Sequence, residues 1–202
     1  MALLRMPRYI SGCECRDTVK MPILVVPTAA VHRSFLAAWD ELAPEDLHWL
    51  GPKSIAGDDE LWSRDRAADP AGFRQLVEAI RREAEPDTVL PPGIVHQTVL
   101  WFVDGVELLG RLSIRHDLTP PLTEVGGHIG YWVRPSARRQ GYATQMLAQS
   151  LPIAGALGID PALVTCDVDN TGSRKVIEAA GGELEGERHG KLRFWVPTHV
   201  AR

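Results

Sequence analysis

A chain of 202 residues, 45% hydrophobic and 24% charged, is long enough to bury one substantial core without a disulfide framework or a structural metal. No apolar run approaches the roughly 18 residues that a membrane span requires, and the basic N-terminus lacks the apolar stretch of a secretory signal, so a cytoplasmic protein with its three cysteines reduced is expected. The net charge of −4 is unevenly spread: from Asp40 to Asp87 thirteen acidic residues stand against six basic ones, whereas Arg134, Arg138 and Arg139 form a locally basic loop. That distribution argues against nucleic acid and for an anionic coenzyme meeting a cationic or neutral second substrate; a solvated acidic surface on two helices explains the acidic stretch equally well.

Residues 1–20 have no sustained periodicity and read as a flexible N-terminal tail ahead of one domain spanning 21–202. Cys13-x-Cys15 has no second Cys/His pair nearby to complete a tetrahedral metal site and reads as two free thiols, so no metal is expected. A strand, Ile23 to Val26, comes next. Val31, Phe35, Ala38, Trp39 and Leu42 then recur at helical spacing over Ala30 to Glu41. Turn residues at Gly51-Pro52 and Gly57-Asp58-Asp59 break the pattern. Asp69-Pro70 reads as an N-cap followed by proline at the first helical position, opening a helix whose apolar face is Phe73, Leu76, Val77 and Ile80 and which ends near Glu85.

From Gln97 the pattern changes to strands, Gln97 to Val103 and Val106 to Arg115, joined at Asp104-Gly105, a strong hairpin signal. A Pro-rich loop, Asp117 to Glu124, delivers the chain into an apolar strand, His128 to Val133. A helix opens at about Tyr142 and contains Pro152, which removes a ladder hydrogen bond and is expected to kink or end it there. Leu163 to Asp167 is the next strand, Asn170 a plausible N-cap for a helix over Thr171 to Ala180, Gly181-Gly182 its stop, and Leu192 to Val196 half of a final hairpin.

The stretch Arg138-Arg139-Gln140-Gly141-Tyr142-Ala143 is a strand, loop and helix start, which is a ready anion site. First-turn N–H groups carry partial positive charge, Gly141 permits close backbone approach, and the two arginines add full charges. The spacing Arg-x-x-Gly-x-Ala, followed by the strand at Leu163, by Asn170 and by a second helix, resembles the acyl-CoA core of the GNAT superfamily of N-acetyltransferases. The resemblance covers roughly residues 21 to 197 and extends to a bacterial subgroup marked by Ile114-Arg115-His116, Gly126-Gly127-His128-Ile129-Gly130-Tyr131 and Thr165-Cys166-Asp167-Val168-Asp169-Asn170. It implies an α/β (α+β) GNAT fold, a mixed and mostly antiparallel central sheet of six to seven strands flanked by about four helices, with acetyl-CoA as co-substrate. The first two helices then fall where the family places a lid over the acceptor.

By the same resemblance, strand edges at Trp132, Val133 and Arg134 pair with the pantetheine arm, backbone N–H groups from Arg139 through Gln140, Gly141 and Tyr142 to Ala143 hold the pyrophosphate beside Arg138, and Asn170 and Ser173 lie along the far side. An amine near neutral pH must lose a proton before it attacks a thioester. His128 stands where many members carry Glu, and imidazole titrates in the right range; the competing reading is a histidine hydrogen-bonded within the sheet. Glu124 is the second candidate base. Arg115 and His116 could orient an anionic acceptor group or lock the loop 117–126. Where many members carry a Tyr that protonates the leaving thiolate, this chain has Ile177, so Tyr142, Tyr131 or water is left for that task. Cys166 reads as a small core residue sooner than as a nucleophile. The expected activity is transfer of an acetyl group to a primary amine of a small-molecule or amino-acid-like acceptor by direct attack. The alternatives are acetylation of a protein or peptide and an acyl-CoA-binding module without turnover. No membrane partner is implied, and a homodimer is left open.

Overall fold

The computed structural model describes residues 21–52 and 62–199. The tail 1–20 with its Cys13-x-Cys15 pair and the turn at Gly57-Asp58-Asp59 lie outside them. Seven strands, β1 (Ile23–Val25), β2 (Gln97–Asp104), β3 (Glu107–Arg115), β4 (Ile129–Val133), β5 (Ala162–Asp167), β6 (Glu183–Arg188) and β7 (Lys191–Val196), form one sheet in the order β1-β2-β3-β4-β5-β7-β6. Every pairing is antiparallel except β4 with β5, so the sheet has the mixed, mostly antiparallel character expected, with seven strands. Five α-helices flank it, one more than expected: α1 (His32–Asp40), α2 (Arg64–Ala68), α3 (Pro70–Arg82), α4 (Tyr142–Ala156) and α5 (Thr171–Ala179). The additional one, α2, is a five-residue piece too short to show periodicity, capped by Ser63, whose hydroxyl accepts from the Arg66 N–H at 3.2 Å.

Alternation along the strands divides the core in two. On β2, Leu100 and Phe102 face α4 and α5, joining Met146, Leu147 and Ile177, while Val99, Trp101 and Val103 face α1 and α3, joining Phe35, Phe73, Leu76 and Ile80. Each large side chain taken out of water in this way contributes about 1.5–3 kcal/mol before entropy is charged against it. The cap at Asp69 forms as the sequence suggests, its carboxylate accepting from the Gly72 N–H at 2.7 Å with Pro70 in the first turn.

Helix α4 does not end at Pro152 but runs on to Ala156. Pro152 and Ala148, whose carbonyl loses its partner, both lie on the exposed face, so water can serve that oxygen. The loop after Arg115 also carries more structure than its prolines suggested, a single π-helical turn over Leu122–Gly126. Among the described residues no helix is long and apolar enough to cross a membrane.

Candidate active site

Strands β4 and β5 meet at a single register point, Ile129 opposite Val164, although β4 pairs with β3 along its whole length. The junction is clamped at Gly127 and His128. A Cβ on Gly127 would lie 2.5 Å from the Leu163 carbonyl oxygen, and its φ is +66°, so glycine is required there. The His128 N–H donates to the Leu163 carbonyl at 2.7 Å, and the Leu163 N–H donates to His128 Nδ1 at 2.9 Å. Past this clamp the two strands part, and the gap between them is the site.

The side of β4 that faces the gap follows from the β3 ladder. The Arg115 N–H donates to the His128 carbonyl and the Arg134 N–H to the Leu109 carbonyl, so even-numbered residues of β4 bond to β3. Alternation turns the backbone groups of Tyr131 and Val133 into the gap, while those of Trp132 and Arg134 face β3. The open edge is therefore Tyr131 and Val133; of the three residues expected to pair with the pantetheine arm, Val133 lies on that edge, while the backbone groups of Trp132 and Arg134 face β3. The Val133 carbonyl accepts from Arg138 Nε at 3.1 Å, as an outward-facing group can.

After β4 a single 3₁₀ turn (Pro135–Ala137) leads into Arg138, Arg139 and Gly141. Arg139 has φ +67° and Gly141 φ +77°, and alternating left- and right-handed residues turn successive N–H groups to one side, a concavity suited to an anion. No side chain caps α4 at Gly141, so its first-turn N–H groups face outward with their partial charge unspent. Here lies a cavity of about 510 Å³ walled by Tyr131, Trp132, Val133, Ala137, Arg138, Arg139, Gly141, Tyr142, Ala143, Thr144, Asn170, Gly172, Ser173 and Val176. Nine of the eleven residues expected to bind coenzyme are among these walls. Gln140 is not, and Arg134 is turned the other way, into an ion pair with Glu41 at 2.6 Å and a bond to Ser34 Oγ at 3.1 Å. Asn170 Oδ1 caps α5 by accepting from the Ser173 N–H at 2.9 Å, which sets both residues at the cavity wall.

A second cavity of about 250 Å³ shares Tyr131, Asn170 and Ser173 with the first and continues between Trp49, Arg115, Gly126, Gly130, Thr165, Cys166, Asp167 and Lys191. Neither candidate base is on its walls or on those of the larger cavity. His128 is half-buried with Nδ1 occupied as an acceptor, which leaves a proton on Nε2 in the neutral ring. Burial, and next the Arg115 charge, lower its pKa below the ordinary histidine value. Glu124 pairs with Arg188 at 3.1 Å on the outer surface. Arg115 donates from one terminal nitrogen to the Gly126 and Gly127 carbonyls at 3.1 and 2.9 Å, holding the loop before β4, and His116 Nε2 lies 2.9 Å from Thr98 Oγ1.

Ile177 is fully buried and offers no proton donor. Tyr131 does: burial pushes its phenol up to about 12, and its hydroxyl donates to the Ser173 carbonyl at 3.5 Å where the two cavities meet. Cys166 has its pKa raised by burial and then by Asp167, so it is a thiol at neutral pH. Among the described residues no group of three or more His, Cys, Asp or Glu could hold a metal ion.

Residues 39–183 match the family model described as acetyltransferase (GNAT) domain. The chain belongs to the GNAT acetyltransferase family. It is an acyl-CoA-dependent N-acetyltransferase whose co-substrate is acetyl-CoA. Solved structures share its fold: RimJ of Mycobacterium smegmatis in complex with CoA-disulfide (21% identity, 88% of this chain and 86% of that one, TM-score 0.55), the ribosomal-protein-S5-alanine acetyltransferase of Vibrio fischeri (14%, 87% and 92%, TM-score 0.55), and the microcin C7 self-immunity acetyltransferase MccE in complex with acetyl-CoA and AMP (16%, 85% and 89%, TM-score 0.51). No curated relative matches by sequence. Ala137, Thr144, Gly172 and Val176 are cavity walls that the sequence reading did not name, and Tyr131, named there only as a possible proton donor, is a wall as well; Thr144, Gly172 and Val176 each stand within three residues of an expected coenzyme residue and follow from helical geometry.

Proposed function

We propose that the protein transfers the acetyl group of acetyl-CoA to a primary amine of a small-molecule or amino-acid-like acceptor by direct attack on the thioester. The observation that carries this reading is the pair of cavities that share Tyr131, Asn170 and Ser173 where β4 and β5 part, a long one for the coenzyme and a short one for the amine. The N–H groups from Arg139 to Ala143 hold the pyrophosphate, the open edge at Tyr131 and Val133 pairs with the pantetheine arm, and an edge N–H there faces the developing oxyanion as a donor set before reaction.

The acceptor enters as ammonium and must shed a proton. Arg115 on the wall of the short cavity disfavours a second positive charge and lowers the pKa of the bound amine, so a water can carry the proton off without a dedicated base. His128 then serves as the clamp that fixes where the strands separate. Proton transfer from the Tyr131 phenol, near 12, to a thiolate whose ordinary value is about 8.5 is uphill. Tyr131 therefore donates a hydrogen bond to the departing sulfur, and water supplies the proton. The volume of the short cavity, below the range of about 300–1,000 Å³ typical of drug-sized ligands, favours a compact amine.

The test is acceptor-dependent thiol release from acetyl-CoA, run beside calorimetric binding of the coenzyme, with amino acids, polyamines, aminoglycosides and short peptides as acceptors. Release with small amines and not with peptides is expected. Tight coenzyme binding with release only from peptides would overturn the small-acceptor reading.

A further inference from the structure

The walls of the short cavity carry a charge that its own side chains leave unmatched. Arg115 and Arg111 lie on the same face of β3, four residues apart, close enough that the Arg115 charge disfavours charge on Arg111. Arg111 is buried and spends one terminal nitrogen on the carbonyls of Trp49 and Gly51, and the negative charge of buried Glu83 supports its own. That grip sets the Trp49 ring across the sheet, where its outer edge lies 3.7 Å from the point a Cβ on Gly130 would occupy. The other terminal nitrogen of Arg115 lies the same 3.7 Å from that point, as does Ser113 Oγ. Gly130 thus leaves an uncovered floor under an indole edge, a guanidinium and a hydroxyl.

Arg115 has two backbone carbonyls as partners, both on its first terminal nitrogen, and among the described residues no carboxylate pairs with it. The other ionic groups on the walls, Asp167 and Lys191, neutralise each other at 2.5 Å. Counted over the described residues, the cavity walls therefore carry one net positive charge, partly withdrawn from water, with a terminal nitrogen of Arg115 beside Gly130. A guanidinium so placed favours a carboxylate, which it can meet with charge-assisted bonds, and a positively lined space of this size disfavours an acceptor with several ammonium groups.

We infer that the acceptor is an amine bearing a free carboxylate, a single amino acid or a close analogue, with its carboxylate on Arg115, its side chain against Trp49 and its amine towards Tyr131 and Ser173. This rests on the proposed transferase reading and narrows it. Arg115 is then a residue that selects the acceptor, and Arg111 one that positions the Trp49 wall.

The experiment measures thiol release from acetyl-CoA for the twenty amino acids and, for each one turned over, its amide and its decarboxylated amine, with spermidine as a polycation. Coenzyme binding is followed separately by calorimetry. At least one amino acid is expected to react, with KM about 10- to 100-fold lower than for the decarboxylated amine, as loss of charge-assisted hydrogen bonds predicts. Arg115→Gln is expected to erase that preference while leaving coenzyme affinity unchanged. The wild-type comparison needs no variant and decides the matter if Arg115→Gln does not fold. Equal or better turnover of the decarboxylated amine, of the amide or of spermidine would overturn the inference, as would a carboxylate preference that survives in Arg115→Gln. Coenzyme binding without release from any amino acid would also overturn it and leave the acetyl-CoA site standing, whereas failure to bind acetyl-CoA would remove the transferase reading itself.

Discussion

Gly141→Ala separates the coenzyme loop from the rest of the fold. Gly141 sits at φ +77°, and a Cβ built there meets nothing within 4 Å, so the substitution creates no clash in the free protein. Its folding cost is the left-handed backbone strain alone, about 1–2 kcal/mol, or roughly 2–8 °C in Tm for a chain of this size. In the proposed complex the new methyl stands where the pyrophosphate approaches the N–H groups of α4. Loss of even one charge-assisted bond, about 1.5–3 kcal/mol, weakens the coenzyme roughly tenfold to a hundredfold. Gly158 provides the control: its φ is +81°, its added Cβ is equally free of neighbours, and it lies at the far end of α4. Thermal melts and calorimetric titration with CoA should show Gly141→Ala and Gly158→Ala losing similar stability, with only Gly141→Ala losing affinity. Unchanged CoA affinity in Gly141→Ala, or an equal loss in both, would refute the assignment of the loop to the pyrophosphate.

Tyr131→Phe removes the hydroxyl at the meeting of the cavities and should lower kcat roughly tenfold or more while coenzyme affinity holds; steady-state kinetics and calorimetry check both. Asn170→Ala deletes the cap on α5 and should cost about 1 kcal/mol of stability, which Asn170→Asp restores in denaturant melts. Glu41 couples α1 to the turn before the coenzyme loop. Burial raises its pKa, but bonds from Arg134 and Ser136 outweigh this and hold it below the ordinary glutamate value. A folded pKa below the unfolded one means that the stabilisation is complete above about pH 4.5 and is lost as pH falls through the lower folded value. Glu41→Gln should therefore melt earlier than wild type at pH 7, by about 1–2 kcal/mol, and the gap should close in acid; a gap independent of pH would argue against the ion pair.

Local signals account for the parts of this protein that were legible without a structure. The caps at Asp69 and Asn170, the Asp104-Gly105 hairpin and the left-handed glycine at 141 each involve partners a few residues apart, so the sequence alone determined them, and with them the family likeness. Strand β6, the other half of the final hairpin, carried no strand signal of its own because Glu183–Arg188 is charged and mostly exposed, an edge strand whose ladder partner is β7. The tertiary structure alone decided which way chemistry-bearing side chains turn. Arg134 finds Glu41 ninety-three residues away and does not line the larger cavity. His128 accepts on Nδ1 from the Leu163 N–H, thirty-five residues on, and lines neither cavity. Trp49, Arg115, Asp167 and Lys191 come from four separate stretches and share a wall only because β4 and β5 part after one pairing. Hydrogen bonds within a turn are encoded by neighbours; a cavity between diverging strands is encoded by how the whole sheet closes around it.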